Sequence, residues 1–311
     1  MTVHEAVLQA RARLERAGLE PGDAAFDADL LARHALGLGD RSQLILHRHL
    51  PPPPGFAAAY EALVARREQR EPAAYITGVR EFWGLEIRVA PGVLVPRPET
   101  ELLVEEVLSR SPAPGPRSLF VADIGTGSGC LAVVLARCLP HVRVIASDVS
   151  GKALEIARHN VERHGAGERV TLVRADLLSA RIPTSACHEA SRQQAWRSRE
   201  SQVPAVLDVI VSNPPYVPTG EIASLQPEVR DFEPTGALDG GPDGLDVIRR
   251  LVPASASRLT PGGLLVFEFG CGQEAGVRDT VESDTRLELL TIRPDYAGIP
   301  RVAVARRVGR G

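Results

Sequence analysis

Four consecutive residues, Asn213-Pro214-Pro215-Tyr216, have side chains and spacing that could do chemistry directly. They follow an apolar run at residues 206–211 that is typical of a buried β-strand. The two prolines fix φ and lack an N–H, so the segment should form a rigid turn with outward-facing oxygen acceptors. The Asn213 side-chain oxygen and the Pro214 carbonyl could together accept both hydrogens of a planar –NH2 group. This pattern favours an enzyme that alkylates an amide or amino nitrogen, although a loop that merely ends a strand would use the same residue types.

A second candidate site is the glycine-rich segment Gly125-Thr126-Gly127-Ser128-Gly129, which begins two residues after Asp123. Glycines between a strand and a helix let the backbone approach a ligand closely, and the helix N-terminus favours polar or anionic groups. Cys130 occupies the position where a dinucleotide fingerprint requires its third glycine. The segment therefore predicts a nucleotide-type cofactor but disfavours NAD or FAD, and with them nicotinamide-dependent oxidoreduction.

Two acidic residues stand at the ends of the next two predicted strands. Asp148 could accept both hydroxyls of a ribose, and Asp176 could bond an adenine amino group, with Leu177 packing against the ring. Either carboxylate could instead cap a helix or be solvated. Because ligands of open α/β sheets bind outside the carboxyl ends of the strands, we expect these residues, the glycine segment and Asn213 to form one site.

Alternating strands and helices should position these residues. The predicted strands are residues 119–123, 142–147, 170–174, 206–211, 264–269, 287–292 and 301–305, and the predicted helices between them are 128–139 and 152–164. Repeated βαβ alternation predicts a parallel sheet covered by helices on both faces. The polar segment 183–204 interrupts this pattern and should form a surface excursion or a disordered loop.

The N-terminal part has a different pattern. Helical stripes at residues 3–17, 23–36 and 56–70, separated by four prolines at 51–54, predict a small helical domain over residues 1–75. With no electrostatic signature of its own, this domain should bind a protein partner or simply cover the catalytic domain. Residues 76–110 should form a β-hairpin connector, with strands at 81–85 and 93–99, and the first helix. Residues 111–311 should form the catalytic domain.

Composition limits the class of protein. The 311 residues are 44% hydrophobic and carry a net charge of −3, which suits a globular chain and disfavours stable binding of nucleic acid. The four cysteines (Cys130, Cys138, Cys187, Cys271) form no metal-binding spacing, and isolated thiols suit a reducing compartment. No stretch resembles a signal peptide or a membrane span, so we expect a cytoplasmic protein that binds no membrane.

Several segments resemble the peptide-chain release factor glutamine methyltransferases (the HemK/PrmC family), a group of class I S-adenosylmethionine-dependent methyltransferases. Residues 123–129 and 213–216 resemble the signatures of the wider class. The narrower resemblance rests on residues 71–78 (Glu-Pro-Ala-Ala-Tyr-Ile-Thr-Gly), 81–85 (Glu-Phe-Trp-Gly-Leu), 96–101 (Pro-Arg-Pro-Glu-Thr-Glu), 232–234 (Phe-Glu-Pro) and 240–245 (Gly-Gly-Pro-Asp-Gly-Leu). The resemblance extends over essentially the whole chain.

The resemblance implies a Rossmann-like methyltransferase sheet, a helical N-terminal domain and methylation of the glutamine of the Gly-Gly-Gln motif in class 1 release factors. It implies that residues 125–129, Asp148 and Asn213 bind S-adenosylmethionine, and that residues 213–216 hold the target glutamine, with no metal involved. Two features depart from the family: the segment 183–204 is longer than usual, and Leu177 stands where an aromatic residue is common.

Two alternatives remain open from the sequence. Asn-Pro-Pro-Tyr also occurs in amino methyltransferases of adenine and cytosine in nucleic acids, although the negative net charge disfavours them. The chain could also be a non-catalytic module that docks on release factors or ribosomes, although the intact glycine segment and Asn213 argue against this.

Overall fold

The structure, a computed structural model, describes residues 2–111, 118–179 and 206–309. These residues form two compact units. The first contains the chain up to Val79 together with Gln226–Phe232, and the second contains Arg80–Leu225 and the chain from Glu233 onward. The sequence-based domain boundaries at residues 75 and 110 stay a prediction. The predicted excursion at 183–204 lies outside the described residues.

The first unit is helical. Its elements are α1 (Val3–Arg16), α2 (Pro21–Leu36), α3 (Arg41–His47), α4 (Phe56–Glu68), α5 (Ala73–Thr77) and, from the later segment, α9 (Pro227–Phe232). A capping box begins α1, where the Thr2 side chain and the Glu5 side chain each accept the other residue's backbone N–H. Helix α3 was not predicted, because it is short and its buried residue, Leu44, gives no apolar stripe.

A cluster of buried charges ties α9 to the other helices of this unit. The Arg67 guanidinium donates to Asp27 at 2.6 Å and to Glu228 at 2.8 Å, and Arg70 donates to Glu228 at 2.7 Å. Burial raises the pKa of Asp27 despite the bond from Arg67. Burial acts in the same direction on Glu228, but the bonds from Arg70 and Arg67 outweigh it and lower the pKa of that carboxyl. Arginine thus bonds both buried carboxylates and links α9 to α2 and α4.

The connector differs from the prediction. The hairpin pairs β1 (Val79–Phe82) with β2 (Leu85–Arg88), and both turn residues have positive φ, 54° at Trp83 and 71° at Gly84. The predicted strand at 81–85 therefore spans the turn, and the predicted strand at 93–99 is wrong. Prolines 96 and 98 cannot donate to a ladder, and the chain there forms a 3₁₀ turn over Pro98–Thr100.

The second unit is built on a seven-stranded sheet. Its strands are β3 (Leu119–Ile124), β4 (Val142–Asp148), β5 (Val170–Arg174), β6 (Leu207–Ser212), β7 (Leu259–Glu268), β8 (Leu287–Pro294) and β9 (Pro300–Arg307), in the order β5-β4-β3-β6-β7-β9-β8. All seven predicted strands are confirmed. The predicted parallel pairing holds for β5, β4, β3, β6 and β7, whereas β9 runs antiparallel to both β7 and β8. No crossover helix separates β8 from β9, and a short connection of this kind can join only antiparallel neighbours.

Helices pack on this sheet around an apolar core. They are α6 (Glu101–Arg110), α7 (Cys130–Cys138), α8 (Gly151–Arg163), α10 (Asp246–Arg258) and α11 (Glu274–Glu282). The last two were not predicted, and Pro253 inside α10 disguises its helical pattern. Gly129 precedes α7 with φ of 80°, and a Cβ there would lie 3.0 Å from the Ala157 Cβ of α8. This glycine is needed both for its backbone conformation and for the close approach of the two helices.

Among the helices formed by the described residues, none combines the length and the apolar character that crossing a membrane requires.

Candidate active site

Polar residues gather at the carboxyl ends of the five adjacent parallel strands β5, β4, β3, β6 and β7. In that order, the strand ends present Asp176, Asp148, the segment 125–129, Asn213 and Glu268. The first four were predicted for the site and the fifth was not. The sheet order thus brings the predicted residues of both halves of the sequence to one edge.

The glycine segment folds as a tight loop between β3 and α7. Gly125, Gly127 and Gly129 have φ values of 70°, 53° and 80°, a region that side chains disfavour. The backbone N–H groups of Gly125 and Thr126 both donate to the Ser147 carbonyl at 2.9 Å. The loop is therefore anchored on β4, and its remaining backbone surface is free of Cβ atoms at the three glycines.

Asp123, at the end of β3, is wholly buried beneath this loop. Its Oδ2 accepts from the Thr126 hydroxyl at 2.6 Å and from the Ala132 backbone N–H at 3.1 Å. Its Oδ1 has no hydrogen-bond partner among the described residues. Burial raises the pKa of this carboxyl to about 7, against the lowering effect of those two bonds. Ser128 is also buried, and its carbonyl accepts from the Asn160 side chain at 2.8 Å.

Asp148 faces the glycine loop. One carboxylate oxygen accepts from the Gly127 N–H at 2.9 Å and the other from the Ser150 N–H at 2.8 Å. Each oxygen keeps a second lone pair, so the carboxylate can still accept hydrogen bonds from a ligand. The Asp148 carboxylate therefore positions the glycine loop and can also bind a ligand.

Asp176 and Leu177 are placed at the same edge with different surroundings. The Asp176 side chain is 54% exposed and forms an ion pair with Arg250 on α10. Leu177 has a positive φ of 53° and packs, partly buried, against the apolar core of the sheet. Asp176 is thus engaged by a surface arginine, and its predicted contact with an adenine amino group stays a prediction.

Asn213 directly follows β6 and is held through its amide nitrogen. Its Nδ2 donates to the Thr100 hydroxyl at 3.0 Å. Its Oδ1 accepts no hydrogen bond from the residues that the structure describes, and the same holds for the Pro214 carbonyl. A Cβ placed on Gly125 would lie 4.0 Å from the Asn213 backbone carbonyl, so this segment adjoins the glycine loop. The role of Asn213 Oδ1 and of the Pro214 carbonyl as acceptors for a substrate amide stays a prediction.

Tyr216 is anchored at its hydroxyl. The hydroxyl donates to Glu268 Oε1 at 2.9 Å, while Glu268 Oε2 accepts from Thr100 at 2.8 Å. Burial, followed by the charge of Glu268, raises the pKa of Tyr216, so the phenol stays protonated. Burial also raises the pKa of Glu268, which is 1% exposed. Packing of the Tyr216 ring on a substrate amide stays a prediction.

The backbone of this segment rests on a glycine turn and on one glutamine. A Cβ on Gly244 would lie 2.2 Å from the Tyr216 carbonyl oxygen, which leaves no room for any side chain at this position. The Gln273 side chain donates to the same carbonyl at 2.8 Å and accepts from the Gly270 N–H at 2.8 Å. These contacts explain why position 244 is a glycine.

Sequence reasoning missed Thr100 and Glu268 as members of the site. Thr100 lies in the Pro-Arg-Pro-Glu-Thr segment, whose Arg97 pairs with the buried Glu233 at 2.7 Å. A signal for Glu268 was available: it is an acidic residue inside the otherwise apolar strand 264–269, where a charge needs a specific partner.

Two further observations concern a cavity away from the site and the search for a metal-binding group. A cavity of about 670 Å³ is lined by residues of α10 and α11, among them Arg249, Val252 and Thr280, and by none of the residues predicted for the site. Within residues 2–111, 118–179 and 206–309, no group of three or more His, Cys, Asp or Glu side chains is arranged to hold a metal ion.

Comparison with known proteins identifies both parts of the chain. Residues 5–78 match the PrmC N-terminal domain family, and residues 121–196 match a methyltransferase domain family. The catalytic domain of hMettl16, solved in complex with MAT2A 3′UTR hairpin 6, aligns with a TM-score of 0.52 at 18% identity over 76% of this chain and 81% of that chain. The fold is therefore the Rossmann-like class I methyltransferase fold that the sequence predicted.

Curated relatives match over their whole length. The release factor glutamine methyltransferase of Geobacter sulfurreducens is 42% identical over 308 residues, which cover 99% of this chain and 97% of that protein. The protein of the same name from Moorella thermoacetica is 38% identical over 99% of each chain. This chain belongs to the release factor glutamine methyltransferase family.

Proposed function

We propose that this enzyme transfers a methyl group from S-adenosylmethionine to the side-chain amide nitrogen of the glutamine in the Gly-Gly-Gln motif of class 1 peptide chain release factors. The observation that carries the proposal is the arrangement at Asn213. Its amide nitrogen is engaged by Thr100, and its oxygen is left available at the end of β6, next to the glycine loop. A carboxamide substrate needs such an acceptor on a fixed frame.

The residues at the ends of β3 and β4 fit the methyl donor. The glycine loop offers a backbone surface without side chains at three positions, and the two Asp148 oxygens keep lone pairs for ribose hydroxyls. The unpartnered Asp123 Oδ1 is a buried acceptor that a bound polar group would satisfy. We assign donor binding to Gly125, Thr126, Gly127, Ser128, Gly129, Asp148, Asp176, Leu177 and Asn213.

S-adenosylmethionine supplies a methyl group made electrophilic by its bond to a positive sulfur. The protein's task is to aim the amide nitrogen, whose lone pair is otherwise delocalised. Asn213 Oδ1 and the Pro214 carbonyl would each accept one amide hydrogen, which fixes the plane of the amide, while Pro215 and Tyr216 form the walls beside it. As the N–C bond formed and the C–S bond of the donor broke, S-adenosylhomocysteine would leave and the nitrogen would become positive. Both acceptors would then bind its hydrogens more strongly, until the surplus nitrogen proton passed to solvent.

Alignment supplies most of the expected acceleration. Holding two reacting groups in a productive geometry is worth up to ~7–11 kcal/mol in well-oriented systems. No general base is needed before attack, because the nitrogen proton becomes acidic only after the new bond has formed. The residues at the site agree with this, since Asn213 and Pro214 offer neutral acceptors rather than a titrating base.

The nucleic-acid alternative is not favoured. The relatives that cover the whole chain carry the name of a protein glutamine methyltransferase, and the likeness to the RNA-bound hMettl16 domain shows the fold alone. A role as a non-catalytic module is opposed by the available Asn213 oxygen.

We further assign the helical N-terminal domain, residues 1–75, to binding the release factor, and the enzyme to the cytoplasm.

The decisive experiment uses methyl-labelled donor and purified release factor. Label should appear on the wild-type factor and be lost when the glutamine of its Gly-Gly-Gln motif is changed to asparagine. A factor with a changed glutamine elsewhere serves as the matched control and should be labelled normally. Equal labelling of the motif variant and the wild-type factor would overturn the substrate assignment.

A further inference from the structure

A continuous chain of hydrogen bonds connects Asn213 to a buried carboxylate on the neighbouring strand. Asn213 Nδ2 donates to Thr100 Oγ1 at 3.0 Å, and Thr100 Oγ1 donates to Glu268 Oε2 at 2.8 Å. The Tyr216 hydroxyl donates to the other oxygen, Glu268 Oε1, at 2.9 Å. Thr100 is 3% exposed and Glu268 is 1% exposed, so water competes little for these groups.

The Glu268 carboxyl group fixes the donor-to-acceptor direction of each hydrogen bond in this series. Both oxygens of Glu268 accept in this arrangement, Oε1 from Tyr216 and Oε2 from Thr100, so the single hydrogen of the Thr100 hydroxyl points toward Glu268. The Thr100 oxygen then presents a lone pair to Asn213. An amide NH2 group can donate a hydrogen bond to this lone pair, whereas an amide oxygen, which only accepts, cannot. The Asn213 side chain is therefore held with Nδ2 toward Thr100 and Oδ1 on the opposite side of the amide.

Without that constraint, the amide could turn over. A Thr100 hydroxyl free to rotate could donate to Asn213 Oδ1, which would turn Nδ2 toward the substrate. An NH2 group in that place would face the NH2 of the target amide, donor against donor. Since asparagine is nearly symmetrical in shape, packing alone does not distinguish the two orientations, whereas the hydrogen bonds do.

We infer that Thr100, directed by Glu268, is a positioning residue that keeps the Asn213 oxygen facing the target amide. This inference rests on the proposed function and adds to it the residues that decide which atom of Asn213 meets the substrate. Neither side chain needs to touch the substrate or the methyl donor.

The placement of Glu268 supports a role beyond packing. Burial, the largest effect, raises the pKa of this carboxyl, and so does the charge of Glu99, against the lowering effects of the Thr100 and Tyr216 bonds and of Arg301. A raised pKa means that ionised Glu268 costs stability in the folded protein. An apolar residue would suit the strand better, so the carboxylate is explained by the hydroxyls that it orients.

The test compares Thr100→Val with Thr100→Ser. The valine side chain has the shape of threonine but neither donates nor accepts a hydrogen bond, whereas serine keeps the hydroxyl. At saturating methyl donor and release factor, Thr100→Val should lower kcat about 10-fold, because one orienting bond is lost, and Thr100→Ser should stay within about 3-fold of wild type. KM for the release factor should change less than kcat. Wild-type kcat in Thr100→Val would overturn the inference.

A double-mutant cycle separates positioning from general damage to the fold. If Thr100 acts through Asn213, Thr100→Val should have little further effect on kcat in an Asn213→Ala background. A full additional 10-fold loss there would show that Thr100 acts in some other way. The Tm of each variant, from calorimetry, shows whether a lost activity reflects unfolding.

Glu268→Met tests the carboxylate separately. It removes the acceptor for the Thr100 hydroxyl and should lower kcat as Thr100→Val does, whereas wild-type kcat would show that Glu268 has no part. If this variant does not fold, the Thr100 pair and the cycle still decide the inference. Failure of the proposed function is a distinct result, since the wild-type enzyme itself would then leave the release-factor glutamine unmethylated.

Discussion

The helical unit holds its buried carboxylates with arginine, as the sheet unit does at Glu233, whereas two carboxylates at the strand ends of the sheet are bonded only by neutral donors. In the helical unit, Asp27 and Glu228 are ion-paired with Arg67 at 2.6 and 2.8 Å. In the sheet unit, Glu268 is bonded by two hydroxyls, and Asp123 by one hydroxyl and one backbone N–H. Neither Glu268 nor Asp123 forms an ion pair with any residue in the described part of the chain.

This difference distinguishes carboxylates paired with arginine from the two at the candidate site. A buried ion pair is costly to break, because removing one partner leaves the other charge unpaired. A buried carboxylate bonded only by neutral donors is already costly when ionised, and burial raises the pKa values of both Glu268 and Asp123. Both of these lie at the carboxyl ends of the strands, where the candidate site is, so the candidate site contains buried carboxylates with which no arginine of the described residues pairs.

The largest expected effect follows from breaking the pairs in the helical unit. Arg67→Met should lower the free energy of unfolding by about 3–5 kcal/mol at pH 7, because it leaves Asp27 without its arginine and weakens the hold on Glu228. Urea unfolding followed by circular dichroism measures this. The matched control is Arg11→Met, which removes an exposed pair with Glu15 and should cost less than about 1 kcal/mol. Equal losses in the two variants would contradict the distinction between buried and exposed pairs.

The next effect concerns pH and Asp123. Its folded pKa is about 7 against 3.8 for the free group, so the folded state holds this proton more tightly than the unfolded chain does. The stability that protonation supplies is complete below pH 3.8 and is lost as the pH rises through about 7. Relative to wild type, Asp123→Asn should therefore gain up to about 4 kcal/mol in unfolding free energy between pH 4 and pH 8, at about 1.4 kcal/mol per pH unit.

That prediction is checked by urea unfolding of both proteins across the pH range, without ligands. Other titrating groups affect the two proteins alike, so the difference between them isolates Asp123. A difference that stays constant from pH 4 to pH 8 would mean that Asp123 is not held in its protonated form by burial.

The smallest change in stability, with a large change in activity, is expected at Asn213. Asn213→Ala removes the predicted substrate acceptor and should lower kcat/KM by ~10²–10³-fold, the loss commonly seen for one such donor or acceptor. The free energy of unfolding should fall by no more than about 1.5 kcal/mol, because one neutral hydrogen bond is lost. Retention of more than about a tenth of the wild-type rate would refute the proposed role of this side chain.

Much of the sheet could be predicted from the sequence, because buried strands are short apolar runs with clear ends. All seven strands of the sheet were found in this way. Local pattern did not reveal that β9 lies between β7 and β8, since the pairing of distant segments leaves no mark on either one. Helix α10 was missed because Pro253 lies within it, and α3 because so little of its surface is buried.

For the site, the sequence located the groups that follow β3, β4, β5 and β6, since strand ends follow from the pattern, but it missed Glu268 at the end of β7. It could not show that Asp176 is engaged by Arg250, a contact between segments 74 positions apart. It also could not show that Thr100 and Glu268, 168 positions apart, share a hydrogen bond behind Asn213. Such partners depend on tertiary packing. Of these contacts, the sequence indicated only that Glu268, the single acidic residue in the predicted strand 264–269, needs a partner.

The position of β9 has a consequence for biosynthesis. This strand emerges from the ribosome after the other six, yet it fills a gap inside the sheet and pairs with β7 at residues 264–268. Until residues 300–307 are available, the backbone groups on that side of β7, including those of Glu268, have no partner strand and form an exposed edge that is prone to mispairing. The carboxylate that orients Thr100 is therefore secured only after residues 300–307 have been made and paired, so methylation competence should not appear before β9 is in place.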